Sequence, residues 1–202
     1  MEWGDAEAEA VELHRRARLH PEDAPGAPAV AMAILGADAV RVSGTWSLPG
    51  PAKLVTVPRL LILVRPRLTP EALNLAVGHE LGEWTLADYC RHDREHLADH
   101  LAVCIAAPAC AVREAFQRHG WRLGRLARLF CLPQSTMALR VGEAVGISVA
   151  LVTADAVIRR GDDLPGDPFL RSLARRGGDR RYPYRVLRVT GPSGGRLVVK
   201  TG

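Results

Sequence analysis

The sequence predicts an α+β fold: a small antiparallel sheet packed on a helical bundle, then a basic C-terminal region that ends in a β-hairpin. Three observations carry this expectation. Residues 39–42, 54–57 and 60–64 are short apolar runs separated by Gly44, Pro49, Gly50, Pro51 and Pro58, the pattern of brief strands divided by turns. Residues 69–119 hold three helical segments bounded by Thr69-Pro70-Glu71, Pro108 and Gly120. Residues 184–189 and 196–200 alternate apolar and polar around Gly191-Pro192-Ser193-Gly194-Gly195, which reads as a terminal hairpin.

Taken in order, residues 5–19 alternate Glu, Ala and Arg around Val11 and Leu13 and read as an exposed first helix. Pro21, Pro25 and Pro28 break it. Residues 29–35 form a short apolar helix closed by Gly36, and the three strand-like runs follow. Thr69 caps the next helix, with Pro70 at its first position and Glu71 in its first turn; it extends to about residue 89. A second helix covers about residues 94–107 and a third about 111–119. Residues 121–145 read as two short helices around Pro133-Gln134-Ser135. Leu123, Leu126, Ala127 and Phe130 share a face of the first, and Met137, Val141 and Ala144 a face of the second. The pair resembles a helix-turn-helix; the plainer reading is two helices packed on a core.

The chain has 202 residues, 48% apolar and 24% charged, which excludes global disorder, a collagen-like repeat and a coiled coil. We expect an N-terminal helix (1–24), a main domain (25–150) and a basic C-terminal region (151–202). No apolar run approaches the roughly 18 residues of a membrane span, and the acidic N-terminus shows no secretory signal. Cys90, Cys104, Cys110 and Cys131 lack C-x-x-C spacing and read as reduced thiols. The expectation is a cytoplasmic protein without membrane attachment. Residues 151–202 carry 11 of the 27 basic residues and 5 of the 22 acidic ones, so the net charge of +5 resides there. Arg171, Arg175, Arg176, Arg180, Arg181, Arg185 and Arg188 form either a nucleic-acid contact or a solvated segment without the aromatics of a stacking platform.

The chemistry concentrates in the middle of the chain. Five of the seven histidines, His79, His92, His96, His100 and His119, lie between residues 79 and 119. The first stands in His79-Glu80-Leu81-Gly82-Glu83, an H-E-x-x-E string. Positions i and i+4 share a helix face, so His79 and Glu83 can grip one ion while Glu80 addresses a bound water. Carboxylate oxygen replaces imidazole nitrogen at nearly the same distance from Zn²⁺. About a dozen residues later, His96 and His100 form a second i, i+4 pair.

Gly78-His79-Glu80-Leu81-Gly82 resembles the motif helix of the ImmA/IrrE zinc metallopeptidases. The order of elements is similar: hairpin sheet, motif helix, and a second helix, here Leu97-Ala98-Asp99-His100-Leu101-Ala102, ending near Ala106-Ala107-Pro108. A short helical pair follows in both, and the resemblance covers about residues 25–145. It implies a zincin-like helical bundle, Zn²⁺, Glu80 as general base, and a protein substrate such as a DNA-bound helix-turn-helix repressor. Only His79 and Glu80 carry over directly. Glu83 replaces the family's second histidine, and the family's acidic ligand falls at Leu97, which binds no metal. Two readings stay open. In one the ligands have exchanged helices, with His79, Glu83 and either His100 or His96 holding zinc, and the added charge of Glu83 weakens Lewis acidity. In the other the site is silent and the fold serves as a protein- or DNA-binding regulator. Trp84, Tyr89, Cys104 and Cys110 read as structural, and Cys90 beside His92 is a weak thiolate candidate.

Overall fold

The computed structural model describes residues 3–56, 59–88, 91–178, 182–190 and 194–201. The chain is α+β and divides into two compact units, residues 1–111 with 130–132, and residues 112–129 with 133–202. Tyr89, Cys90, Arg180 and Arg181, named above, lie outside the described residues, as does the side chain of His92.

The first unit contains α1 (Trp3–Ala17), α2 (Ala27–Leu35), β1 (Val40–Val42), β2 (Ala52–Val55), β3 (Leu61–Val64), α3 (Pro70–Thr85), α4 (Arg91–Ala106) and the first turn of α5 (Ala109–His119). The sheet order is β1-β3-β2. β2 and β3 form the expected antiparallel pair, but β1 lies parallel to β3, so the run of three is not a simple meander. Leu-Ile-Leu-Val of β3 is the most apolar strand and takes the centre, while β1 and β2 each carry an exposed cation, Arg41 and Lys53, at an edge. Charged edges suit solvent and discourage further pairing.

α1 differs from the exposed, separate helix expected of residues 1–24. Ala6, Ala10, Leu13, His14 and Ala17 are buried in the core of the first unit. The alanines are themselves the apolar stripe, at spacings of three and four. Arg16 lies over Trp84, 5.5 Å from the ring centroid, and Glu7 Oε1 accepts the Ala109 amide at 2.7 Å, satisfying an orphan donor at the start of α5. Asn74, also buried, accepts the Ala27 amide at 2.7 Å and donates to the Phe130 carbonyl at 3.0 Å. That clamp ties residues 130–132 into this unit, next to Cys131 at φ +47°.

The two helices α3 and α4 meet through small residues. Thr69 Oγ1 caps α3 by accepting the Ala72 amide at 3.2 Å. A Cβ built on Gly78 would lie 2.9 Å from Ala102 Cβ, and one on Gly82 would lie 3.1 Å from Ala98 Cα. The backbones therefore approach as closely as four residues without bulk permit.

The second unit holds the rest of α5, α6 (Leu123–Leu129), α7 (Gln134–Val145), β4 (Val149–Val152), β5 (Val157–Arg160), α8 (Asp167–Arg176), β6 (Tyr184–Val189) and β7 (Gly195–Lys200). The strands form an antiparallel sheet in the order β5-β4-β7-β6. Val149, Leu151, Val189, Leu197 and Val199 pack with Leu123 of α6 and Ala138 of α7. Ala150, Val152 and Val198 pack with Leu170, Leu173 and Ala174 of α8 on the other face. The β6–β7 hairpin agrees with the sequence reading. The expected boundary at residue 150 does not, because α6 and α7 share their core with this sheet. Nor is the basic region a tail. Arg171 donates to the carbonyls of Thr153, Ala154 and Asp155, Arg160 pairs with Glu143, and Lys200 lies 3.3 Å from Asp163. Among the described residues no helix is long and apolar enough to cross a membrane.

His14 gives the first unit a pH dependence. Its side chain is fully buried, Nδ1 donates to the Ala10 carbonyl at 2.7 Å, and Nε2 has no partner. Burial pushes its pKa below the ordinary histidine value. The unfolded chain protonates this residue near pH 6.5 and the folded chain only at lower pH. Its stabilising contribution is therefore complete above about pH 6.5 and is lost as pH falls below that value. His14→Leu fills similar space without a titrating group. In thermal melts, its midpoint relative to wild type should be constant above about pH 6.5 and rise as pH falls from there to 5; a difference that stays constant down to pH 5 contradicts the assignment.

Candidate metal centre

The close contact of α3 and α4 decides what can meet above it. His79 and Glu83 each follow one of the contact glycines, and Glu95 and Asp99 flank the contact alanine Ala98. Each helix thus presents an i, i+4 pair along the same seam. His79 Nδ1 donates to Asp99 Oδ1 at 2.7 Å, and His79 Nε2 faces Glu95 Oε2 at 3.6 Å. One ligand atom from each of His79, Glu83 and Glu95 falls within 4.8 Å of the others.

This set could hold a divalent ion, although Glu95 is exposed and such acidic groups are common without one. Tetrahedral ligands at about 2.1 Å from zinc stand about 3.4 Å from one another, close to the 3.6 Å between His79 and Glu95. Asp99 fixes the tautomer: with Nδ1 protonated, Nε2 carries the free lone pair on the side of Glu95. The Asp99 hydrogen bond raises the His79 pKa against the opposing effect of partial burial, and the nearby charges of Glu83 and Glu80 add to the rise.

The seam lines a cleft of about 910 Å³ together with residues 48–53. Glu80 lines the cleft and is buried, with Oε2 accepting the Leu54 amide of β2 at 2.5 Å. Because β2 is an edge strand, that bond satisfies an amide facing away from β3. Arg94 also lines the cleft, its Nε 3.9 Å from Glu83 Oε1.

The structure brings together His79, Glu80 and Glu83 of the expected residues. It does not bring His100 to them: this ring is buried, with Nε2 3.6 Å from Cys104 Sγ one turn along its own helix. His96 is exposed and does not join the ligand atoms within 4.8 Å. The residues sequence reasoning missed are Glu95 and Asp99, interleaved with the two histidines. One signal was present. Ala98 and Ala102 repeat the four-residue spacing of Gly78 and Gly82, which marks the contact face of α4 and puts Glu95 and Asp99 beside it.

No family model matches the chain, and no curated protein matches it. Among solved structures, a Mycobacterium tuberculosis transcriptional regulator is similar in fold, with a TM-score of 0.65 at 12% identity over 97% of this chain and 74% of that one. At that identity the likeness is one of fold alone.

The seam generates a test. Gly→Ala in an exposed helix gains about 1 kcal/mol, but at Gly78 the added methyl meets Ala102 at 2.9 Å, and overpacking of this kind costs about 1–3 kcal/mol. Gly78→Ala should lower stability in chemical denaturation and weaken any metal binding, since it separates the two helices. Unchanged or increased stability contradicts the contact.

Proposed function

We propose that the protein is a regulator of transcription whose first unit works as a zinc-dependent peptidase on a protein partner, a DNA-binding repressor being the partner type the ImmA/IrrE resemblance implies. The observation that carries this reading is the convergence of His79, Glu83 and Glu95 in a cleft that Glu80 also lines. The regulatory half is supported by the fold shared with a transcriptional regulator.

His79, Glu83 and Glu95 would hold the ion, and Asp99 would orient His79 through Nδ1. Bound zinc supplies Lewis acidity toward a peptide carbonyl and acidifies water. Glu80 acts as general base, taking a proton from water and passing it to the leaving amine. Its hydrogen bond from the Leu54 amide holds one carboxylate oxygen in place and leaves the other for the proton. Residues 48–53, which include the start of β2, line the same cleft and would bound the space open to an extended peptide.

A second reading, a silent regulator of the same fold, is favoured by Arg94: a guanidinium beside Glu83 offsets a carboxylate without an ion. Reading duplex DNA through residues 121–145 has less support. Every residue of α7 is buried or half-buried, and Arg140 is 3% exposed and paired with Glu143, whereas a recognition helix presents a free face to the major groove.

Metal analysis of the purified protein separates the first two readings. The peptidase reading expects about one zinc per chain, lost in His79→Ala. Glu80→Gln should retain the zinc and lose the roughly 10²–10⁴-fold contribution of a general base to hydrolysis. A folded protein that takes up no zinc supports the silent regulator, and unaltered hydrolysis in zinc-loaded Glu80→Gln contradicts the mechanism.

A further inference from the structure

We infer that Arg94 is a built-in counter-cation of this site: it offsets Glu83 when no ion is bound and tunes the affinity and net charge of the site when one is. The inference rests on the metal reading above. Arg94 and Glu83 are mostly shielded from water, with side-chain exposures of 26% and 18%, and Nε stands 3.9 Å from Oε1. That nitrogen is inaccessible to water yet has no hydrogen-bond partner. A guanidinium normally locks onto a carboxylate through a two-pronged fork with short bonds. Here the pair is held by charge at a distance, so the carboxylate remains able to turn to another cation.

The charge count explains why a cation is useful there. Hydrolytic zinc sites with two histidines and one glutamate keep a net charge of +1. Neutral His79 with Glu83 and Glu95 brings two negative charges, which a divalent ion only cancels. Arg94, immediately before Glu95 on α4 and facing Glu83 on α3, restores the missing positive charge. The same guanidinium repels an incoming ion, so affinity is lower than the three ligands alone would give. These effects oppose each other and belong to one residue, which separates this role from simple packing of an arginine stem.

The test is a zinc titration of the full chain against a chelator of known affinity, with wild type, Arg94→Met and Arg94→Lys compared after circular dichroism and thermal melting have established that each is folded. A guanidinium a few ångströms from a divalent ion shifts its binding about tenfold even under water-like screening. Arg94→Met should therefore bind zinc about tenfold more tightly than wild type, and Arg94→Lys should stay near wild type. Binding by Arg94→Met alone, with none by wild type, also supports the inference. If wild type binds and Arg94→Met binds equally or less tightly, the counter-cation role is wrong while the metal site stands. If none of the three binds zinc, the metal reading fails and this inference with it. Should Arg94→Met not fold, Arg94→Gln removes the same charge and carries the same outcomes.

Discussion

The contact of Gly78 and Gly82 with Ala98 and Ala102 is the constraint on which the first unit depends. Without Cβ atoms on α3 at these positions, its backbone lies against the alanines of α4, and a methyl added at either glycine would meet them at about 3 Å. Everything chemical follows from that approach. His79 and Glu83 are one residue past the glycines, and Glu95 and Asp99 stand on either side of Ala98, so a helix pair with larger side chains at the seam would hold His79, Glu83 and Glu95 too far apart to share an ion. The surrounding core supports the seam from behind: α1 lays its alanine stripe and Leu13 into the same cluster that contains Val77, Leu81, Leu101 and Ile105.

The seam also creates an electrostatic problem. Glu80, Glu83, Glu95 and Asp99 all border one cleft; Glu95 and Asp99 are exposed to solvent, but Glu80 and Glu83 are shielded, where like charges repel more strongly than in water. The structure answers with local partners. The Leu54 amide faces Glu80, His79 lies between Asp99 and Glu95, and Arg94 stands beside Glu83. These arrangements differ in kind. The bond to Glu80 comes from backbone and is fixed by the sheet, whereas His79 and Arg94 are side chains that another cation can compete with.

Much of the first unit was legible in sequence because its signals are local. The Thr69 cap, the strand-like run 60–64 and the H-E-x-x-E string each state their element within a few residues. The third member of the candidate set was not, because helix phase is read relative to a partner: the histidines at 96 and 100 and the acids at 95 and 99 differ by one residue, and only the contact face of α4 chooses between them. His100 turns to Cys104 in the interior instead. The second unit was legible at its hairpin but not at β4, β5 or α8. β4 is four apolar residues buried on both faces, which have no periodicity to read, and the arginines of residues 151–202 looked like a charge cluster although Arg160 and Arg171 are anchors within the fold. α1 misled for a related reason: alanine carries little hydrophobic signal, yet a row of it makes a close helix contact.

The central claim is that α3 and α4 jointly hold one divalent ion. It is met most directly by a zinc-loaded crystal with anomalous scattering measured at the zinc edge, or by zinc-edge absorption spectroscopy of the loaded protein. The expected result is a single ion bound by His79 Nε2 and by carboxylate oxygens of Glu83 and Glu95, with no sulfur neighbour. An ion held by Cys104 and His100, or no ordered ion at this seam, contradicts it.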